Sequence, residues 1–147
     1  MTSDRARKGF ATAARVFARV ALGAGFLSAV ADRFGLWGPV SAPNVAWGDF
    51  PHFLRSTAKL NPYLPEALVP ALGWAVTIAE AVVGVALVAG VRVRVAAILA
   101  AVLLLGFTLG MTVGTGVKSA LDASVPAAAA AALLLAAWPD ERRDNGA

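Results

Sequence analysis

One acidic residue, Glu80, lies near the centre of a 23-residue stretch, residues 68–90, that contains no other charged side chain. A helix of this length is about 34 Å long, enough to cross the roughly 30 Å hydrocarbon core of a bilayer. A carboxylate at that depth costs at least about 2.5 kcal/mol, so Glu80 must face protein or enclosed water and be either paired or protonated. Such an acid handles protons or binds a polar group, and a buried latch between helices is the alternative.

Two sets of partners for Glu80 follow from helix geometry. Thr77 lies one turn before it on the same face. Counted from one membrane surface, Glu80, Ser28 and Thr108 lie about 15–20 Å deep, so these three side chains can meet. Arg19 lies only about 5 Å deep, but its long stem can reach toward Glu80. An Arg19 pair keeps Glu80 ionised, whereas a cage of Ser28 and Thr108 favours the protonated acid.

Two rows of glycine accompany these polar residues. Gly73 and Gly84 share the Glu80 face, and Gly106, Gly110 and Gly114 repeat every four residues in a second apolar stretch. In lipid, small residues let helix backbones approach closely. The rows therefore predict helix-packing surfaces.

Other candidate chemistry is sparse. Asp32 and Arg33 are consecutive at the end of the first apolar segment, where we expect charges at the membrane interface or lining an outer mouth. His52 is the one histidine of the chain, and a lone loop histidine is most simply a solvated one. The chain has no cysteine and no metal-ligand spacing, so we predict no metal site and no disulfide or iron–sulfur chemistry within it.

The composition is that of a membrane protein. Hydrophobic residues make up 59% of the chain, and the mean hydropathy is +0.70. The net charge is +4, but the basic residues flank apolar segments instead of clustering with aromatic side chains. We therefore expect the lipid bilayer, and not nucleic acid, as the main partner.

The segments predict an all-α fold, a four-helix transmembrane bundle forming one domain over residues 16–138. The expected helices cover residues 16–37, 68–90, 95–117 and 121–138, with tails at 1–15 and 139–147. The connection 38–67 should hold a short helix that begins after Asp49 and rests at the level of the lipid headgroups.

The charge distribution predicts the orientation. With the N-terminus inside, nine Lys and Arg residues lie on the cytoplasmic side and four on the other. Both termini should then be cytoplasmic. The basic N-terminus, the apolar run and the Ala29-Val30-Ala31 pattern also fit a signal peptide cut before Asp32, which would leave three helices.

Several motifs resemble the DoxX family of small four-helix membrane proteins. They are Arg19-Val20-Ala21-Leu22-Gly23, the run from Ala79 through Glu80 to Leu87, and Thr57-Ala58-Lys59-Leu60-Asn61-Pro62. The resemblance implies a bundle in the bacterial inner membrane, with Arg19 and Glu80 matching the family's first-helix arginine and second-helix glutamate. Some relatives belong to thiol- or sulfur-linked quinone oxidoreductase complexes. Residues 30–33 depart from the family pattern.

These observations lead to three functional hypotheses. The first is a membrane subunit of a redox complex that contacts quinone around Glu80, with no cofactor in the chain itself and a redox centre on a soluble or membrane oxidoreductase partner. The second is a small proton-coupled transporter that titrates Glu80. Four helices enclose little solvent path, which weighs against a monomeric carrier and favours a homo-oligomer for this hypothesis. The third is a non-catalytic membrane scaffold.

Overall fold

The computed structural model describes residues 2–139, and within that range the chain is helical without a strand. The α-helices are α1 (Thr2–Arg33), α2 (Phe50–Leu60), α3 (Val69–Ala89), α4 (Val93–Thr115), α5 (Val117–Asp122) and α6 (Val125–Ala137). A short 3-10 helix, Glu66–Leu68, leads into α3. The all-α prediction is confirmed.

Three helices are long and apolar enough to cross a membrane, within Asp4–Arg33, Glu66–Ala89 and Val93–Thr115. Their outer faces expose large apolar side chains such as Val82, Leu109 and Val113, each more than 60% exposed. So much exposed apolar surface fits contact with lipid. The fourth helix, α6, has 13 residues and is about 20 Å long, too short to cross a typical bilayer core unaided.

Successive long helices run in opposite directions. Arg19 near the start of the apolar part of α1 contacts the end of α3, whereas Arg33 at the end of α1 contacts Thr77 in the first half of α3. We call the end of the bundle that carries Arg19 and Gly90 the terminal end. The opposite end, where α1 stops and α2 lies, is the loop end.

The core lies toward the terminal end and is rich in alanine. Ala96, Ala97, Ala100 and Ala101 of α4 are buried in one cluster with Ala132, Leu135 and Ala136 of α6. Small side chains on both helices allow their backbones to approach closely, and this packing holds the short α6 in place. Phe26, Val83 and Leu87 complete the cluster from α1 and α3.

The glycine rows pack against more than the spanning helices. A Cβ on Gly84 would lie 2.9 Å from Leu27 Cγ and 3.1 Å from the Gly23 carbonyl oxygen, so α1 and α3 meet there. Gly73 and Gly114 instead pack against α2. A Cβ on Gly73 would collide with Leu54, and one on Gly114 would lie 2.6 Å from the Lys59 carbonyl oxygen. Gly110 has a looser contact with Leu60, and Gly106 has no neighbour within 4 Å.

The short helix expected within residues 38–67 is α2, and it packs against the bundle. Phe53 and Thr57 are buried, and α2 contacts α3 and α4. Its depth relative to the lipid headgroups stays a prediction. Asp49 caps this helix as expected, because its Oδ1 accepts a hydrogen bond of 2.7 Å from the His52 backbone N–H. The helix closes the loop end of the bundle.

Some boundaries also differ. Residues 2–15 were expected to be a tail but continue α1 as helix, and α1 ends at Arg33 instead of residue 37 because Gly35, with φ +72°, begins a turn. The last predicted helix, 121–138, is α6 preceded by the separate α5. Of the C-terminal tail, residues 140–147 lie outside the described residues.

The packing of α1 on α3 can be tested at Gly84. Gly84→Ala should destabilise the protein by about 1–3 kcal/mol, since the new methyl group collides with Leu27 and the Gly23 backbone. Gly106→Ala is the control, and it should be neutral or slightly stabilising because nothing lies near it. Thermal unfolding in lipid nanodiscs measures both. Equal effects of the two substitutions would contradict this helix contact.

The cap of α2 predicts a pH dependence. The backbone N–H and side chain of His52 hold the pKa of Asp49 below its usual value. The cap therefore stabilises α2 at neutral pH, and this contribution is lost as the pH falls through the lowered pKa. Asp49→Ala, which removes the capping oxygen, should reduce hydrogen-exchange protection of α2 at neutral pH, and the difference from wild type should shrink in acid as Asp49 loses its charge. Asp122→Ala, which removes an exposed acid on α5, should leave α2 unchanged at every pH.

Candidate intramembrane polar site

The partner of Glu80 is Arg33. Arg33 Nη1 lies 2.5 Å from Glu80 Oε2, and both side chains are only 2% exposed. The same Nη1 donates a hydrogen bond of 2.8 Å to Thr77 Oγ1, which in turn donates to the Gly73 carbonyl oxygen. Thr77 lies about 12 Å from the start of α3 by helix rise, so the arginine stem runs inward from the loop end to reach the acid.

Two aromatic rings cover the guanidinium. Arg33 Cζ lies 3.8 Å from the centroid of the Phe53 ring and 5.2 Å from that of Trp47. The two rings meet edge to face at 5.3 Å. A cation is attracted to the face of an aromatic ring, and the contact strengthens when water is excluded. The segment after α1 and the helix α2 thus each supply one ring to the site.

Asp32 holds that segment in place. Its Oδ2 accepts hydrogen bonds from the backbone N–H groups of Ala46 and Trp47, at 3.1 and 2.8 Å. Trp37, in the turn that follows α1, donates a hydrogen bond from Nε1 to the Ser28 carbonyl oxygen. These bonds fold the chain back over the end of α1 and position Trp47 above Arg33. Asp32 and Arg33 are 5% and 2% exposed, so both are buried beneath this cover, and Arg33 also lines a groove. Their depth relative to the membrane interface stays a prediction.

The ion pair forms part of the wall of a large groove. The groove has a volume of about 940 Å³ and is lined mainly by apolar side chains of α1, α4 and α6. Arg33, Glu80, Thr57 and Asn61 are its main polar lining residues. Phe17 and Leu109 also line it and are 76% and 67% exposed, so the groove opens through the lipid-facing surface of the bundle.

Two atoms of the pair keep unused hydrogen-bonding capacity. Arg33 Nε and Glu80 Oε2 are buried without a hydrogen-bond partner among the described residues. Glu80 Oε2 is held in the ion pair by Nη1, and a carboxylate oxygen can accept more than one contact. A buried donor left without a partner is costly, so the Arg33 Nε–H and the remaining lone pairs of Glu80 could be satisfied by a bound molecule.

The other residues expected near Glu80 lie elsewhere. Arg19 Nη1 donates to the carbonyl oxygens of Leu87 and Val88, at 2.9 and 3.1 Å, and so caps the end of α3. Ser28 is exposed, and Thr108 Oγ1 donates to the Leu104 carbonyl oxygen of its own helix. Of the residues expected beside Glu80, Thr77 lies in the site, because both side chains contact Arg33 Nη1. Arg33 takes the place of Arg19 and of the Ser28 and Thr108 cage.

Sequence reasoning missed Arg33 as the partner because depth was counted along straight helices. That count put Arg33 at the membrane surface and left its side chain pointing outward. Trp47 and Phe53 lie in the connection that was expected to rest at headgroup level, and their approach to the site depends on long-range contacts with Asp32 and Gly73.

Fold and site together define a multi-pass helical membrane protein with a buried ion pair facing a lipid-accessible groove. Residues 10–124 match the family described as Methylamine utilisation protein MauE. The match covers more than three quarters of the 147 residues, and the chain belongs to the MauE family.

The assignment to the DoxX family was therefore wrong. The motifs behind it consist mostly of small and apolar residues, which recur in membrane helices for reasons of packing alone. Comparison with curated proteins and with solved structures found no match to the chain.

The ion pair predicts an asymmetric double-mutant cycle. Removing one partner of a buried pair costs about 3–5 kcal/mol. Glu80→Leu should have a cost at the upper end of this range, because the remaining arginine cannot release its proton. Arg33→Met should cost less, because the remaining carboxyl group can take up a proton. The double variant should be close to wild type, as measured by unfolding in nanodiscs. Costs that simply add would show that the two side chains do not interact.

Proposed function

We propose that this chain is the membrane subunit of a redox complex and that it binds the ring of a membrane quinone beside Arg33 and Glu80. The observation that carries the proposal is the buried Arg33 Nε without a hydrogen-bond partner, next to the Glu80 carboxylate. A quinone carbonyl can accept a hydrogen bond from Arg33, and a quinol hydroxyl can donate one to Glu80. The pair thus offers a complementary contact to each oxidation state of the ring.

The setting of the pair supports a lipid-soluble ligand. The groove is apolar and opens toward lipid, so a molecule dissolved in the bilayer can enter without crossing water. The rings of Trp47 and Phe53 stand beside the polar atoms and offer flat surfaces to a planar ligand. Sites of this kind combine apolar walls with a few polar groups that fix orientation.

The family name adds a chemical context, because it refers to methylamine utilisation. Oxidation of an amine to an imine releases two electrons and two protons, and reduction of a quinone to a quinol takes up the same number of each. We place the electron-donating centre on an amine-oxidising partner, since this chain has no cysteine with which to build a redox site of its own. Glu80 would exchange a proton with the bound ring.

The orientation belongs to the same proposal. The excess of Lys and Arg near the terminal end favours that end on the cytoplasmic side. The loop end, with α2 and the aromatic cover of Arg33, then faces outward. A partner on the outer surface would meet the bundle at the end that lies nearest to the ion pair.

Quinone binding can be measured by quenching of tryptophan fluorescence in quinone-free nanodiscs, because Trp47 lines the groove. Glu80→Gln should weaken binding by about tenfold or more, the effect of losing about 1.4 kcal/mol from one hydrogen bond to a charged group. Glu66→Gln is the matched control, since it alters an exposed acid outside the groove, and its affinity should equal that of wild type.

A second variant separates a loss of quinone binding from a loss of folding in Glu80→Gln. The double variant Arg33→Met with Glu80→Leu should fold stably yet bind quinone weakly, because it has lost both polar groups. Unchanged affinity in that variant would overturn the proposal. If the wild-type protein binds no quinone and Glu80→Gln changes only its stability, the scaffold hypothesis is favoured. Proton-coupled uptake in proteoliposomes that depends on Glu80 would favour a transporter.

A further inference from the structure

The groove continues well beyond the ion pair along α1. Its lining on this helix runs from Arg33 back to Phe17, a span of about 24 Å measured along the helix axis. The lining residues recur every three to four positions and so form one face of the helix. Besides Arg33, they are Phe17, Ala18, Ala21, Leu22, Gly25, Phe26 and Ala29.

We infer that this face is a channel for the isoprenoid tail of the quinone, and that Gly25 and Gly106 determine how long a tail the protein accepts. The inference rests on the proposed function, because it takes the quinone ring to lie beside Arg33 and Glu80. The tail runs from there toward the terminal end between α1 and α4. Both glycines line the groove, one on each helix.

The surroundings of the two glycines separate them from packing glycines. A Cβ added to Gly23 or Gly84 would lie 2.8 or 2.9 Å from its nearest neighbour, so these glycines are used for helix contact. A Cβ on Gly25 or Gly106 would meet nothing within 4 Å. Both positions leave space open along the groove where a side chain would fill it.

The polar groups at the loop end of the channel indicate what kind of molecule it binds. Arg33, whose Nε has no hydrogen-bond partner, and its ion-pair partner Glu80 are both 2% exposed, and both side chains line the groove. The rest of the wall is apolar apart from a few groups on α2 and at its end, such as Thr57 and Asn61. A molecule that complements this surface has a small polar head able to form hydrogen bonds and a long uncharged tail.

The side opening gives the tail a route to the bilayer. Phe17 and Leu109 line the groove from opposite helices and are largely exposed, as is Val102 at 62%. Because these side chains lie on lipid-facing surfaces, a tail that leaves between them continues directly among the acyl chains. The channel can therefore exchange its occupant sideways without opening the packed alanine core.

The test compares two benzoquinones with the same ring, one with a long polyisoprenoid tail and one with a single isoprene unit. Gly25→Leu and Gly106→Leu should each weaken binding of the long-tailed quinone by about tenfold or more, since burial of even two methylene groups has that effect. Affinity for the short-tailed quinone should change little. Gly9→Leu is the control, because Gly9 is equally free of neighbours but lies outside the groove, and it should affect neither ligand.

The outcomes separate this inference from the proposed function. If both glycine variants bind both quinones like wild type, the tail lies elsewhere, although the ring site stands. If wild type binds neither quinone, the proposed function itself fails. Native mass spectrometry identifies other occupants: a phospholipid that the long-tailed quinone does not displace, or a dimer that Gly25→Leu dissociates, would overturn the tail channel.

Discussion

The ion pair between Arg33 and Glu80 constrains the rest of the bundle. Two charges removed from water need each other and further hydrogen bonds, and a partner lost from such a pair is expensive. This contact accounts for the inward direction of the Arg33 side chain at the end of α1, and α2 brings Phe53 over the guanidinium. Asp32 completes the arrangement by fixing the backbone that carries Trp47. The loop end of the protein is thus organised around one buried charge pair.

Small residues then divide the bundle into a packed part and an open part. Where glycine or alanine faces another backbone, as at Gly84 on α3 or Ala97 on α4, the helices close together and exclude other molecules. Where the small residues of α1 face open space, at Gly25 for example, a groove remains. The same residue types therefore serve two purposes, and the charge pair lies where the open part meets the closed loop end.

Hydrophobic length and charge patterning were enough to predict an all-α membrane protein and its long spans, because the bilayer sets the helix length. Glu80 was recognisable from its cost in an apolar stretch, and Thr77 from its helical spacing to it. Arg33 was not, because a side chain that turns inward from a helix end depends on what covers it, and that cover comes from residues 14 and 20 positions further along. The family could not be read from apolar motifs, which many unrelated membrane helices share.

The most direct test of the quinone site is photo-crosslinking with an azidoquinone in native membranes, followed by peptide mapping. We predict adducts on groove residues beside the ion pair, such as Ala29, Trp47 and Phe53, and an excess of unmodified quinone should suppress them. Adducts confined to the lipid-facing surface of α3, around Val82 and Val85, would contradict it.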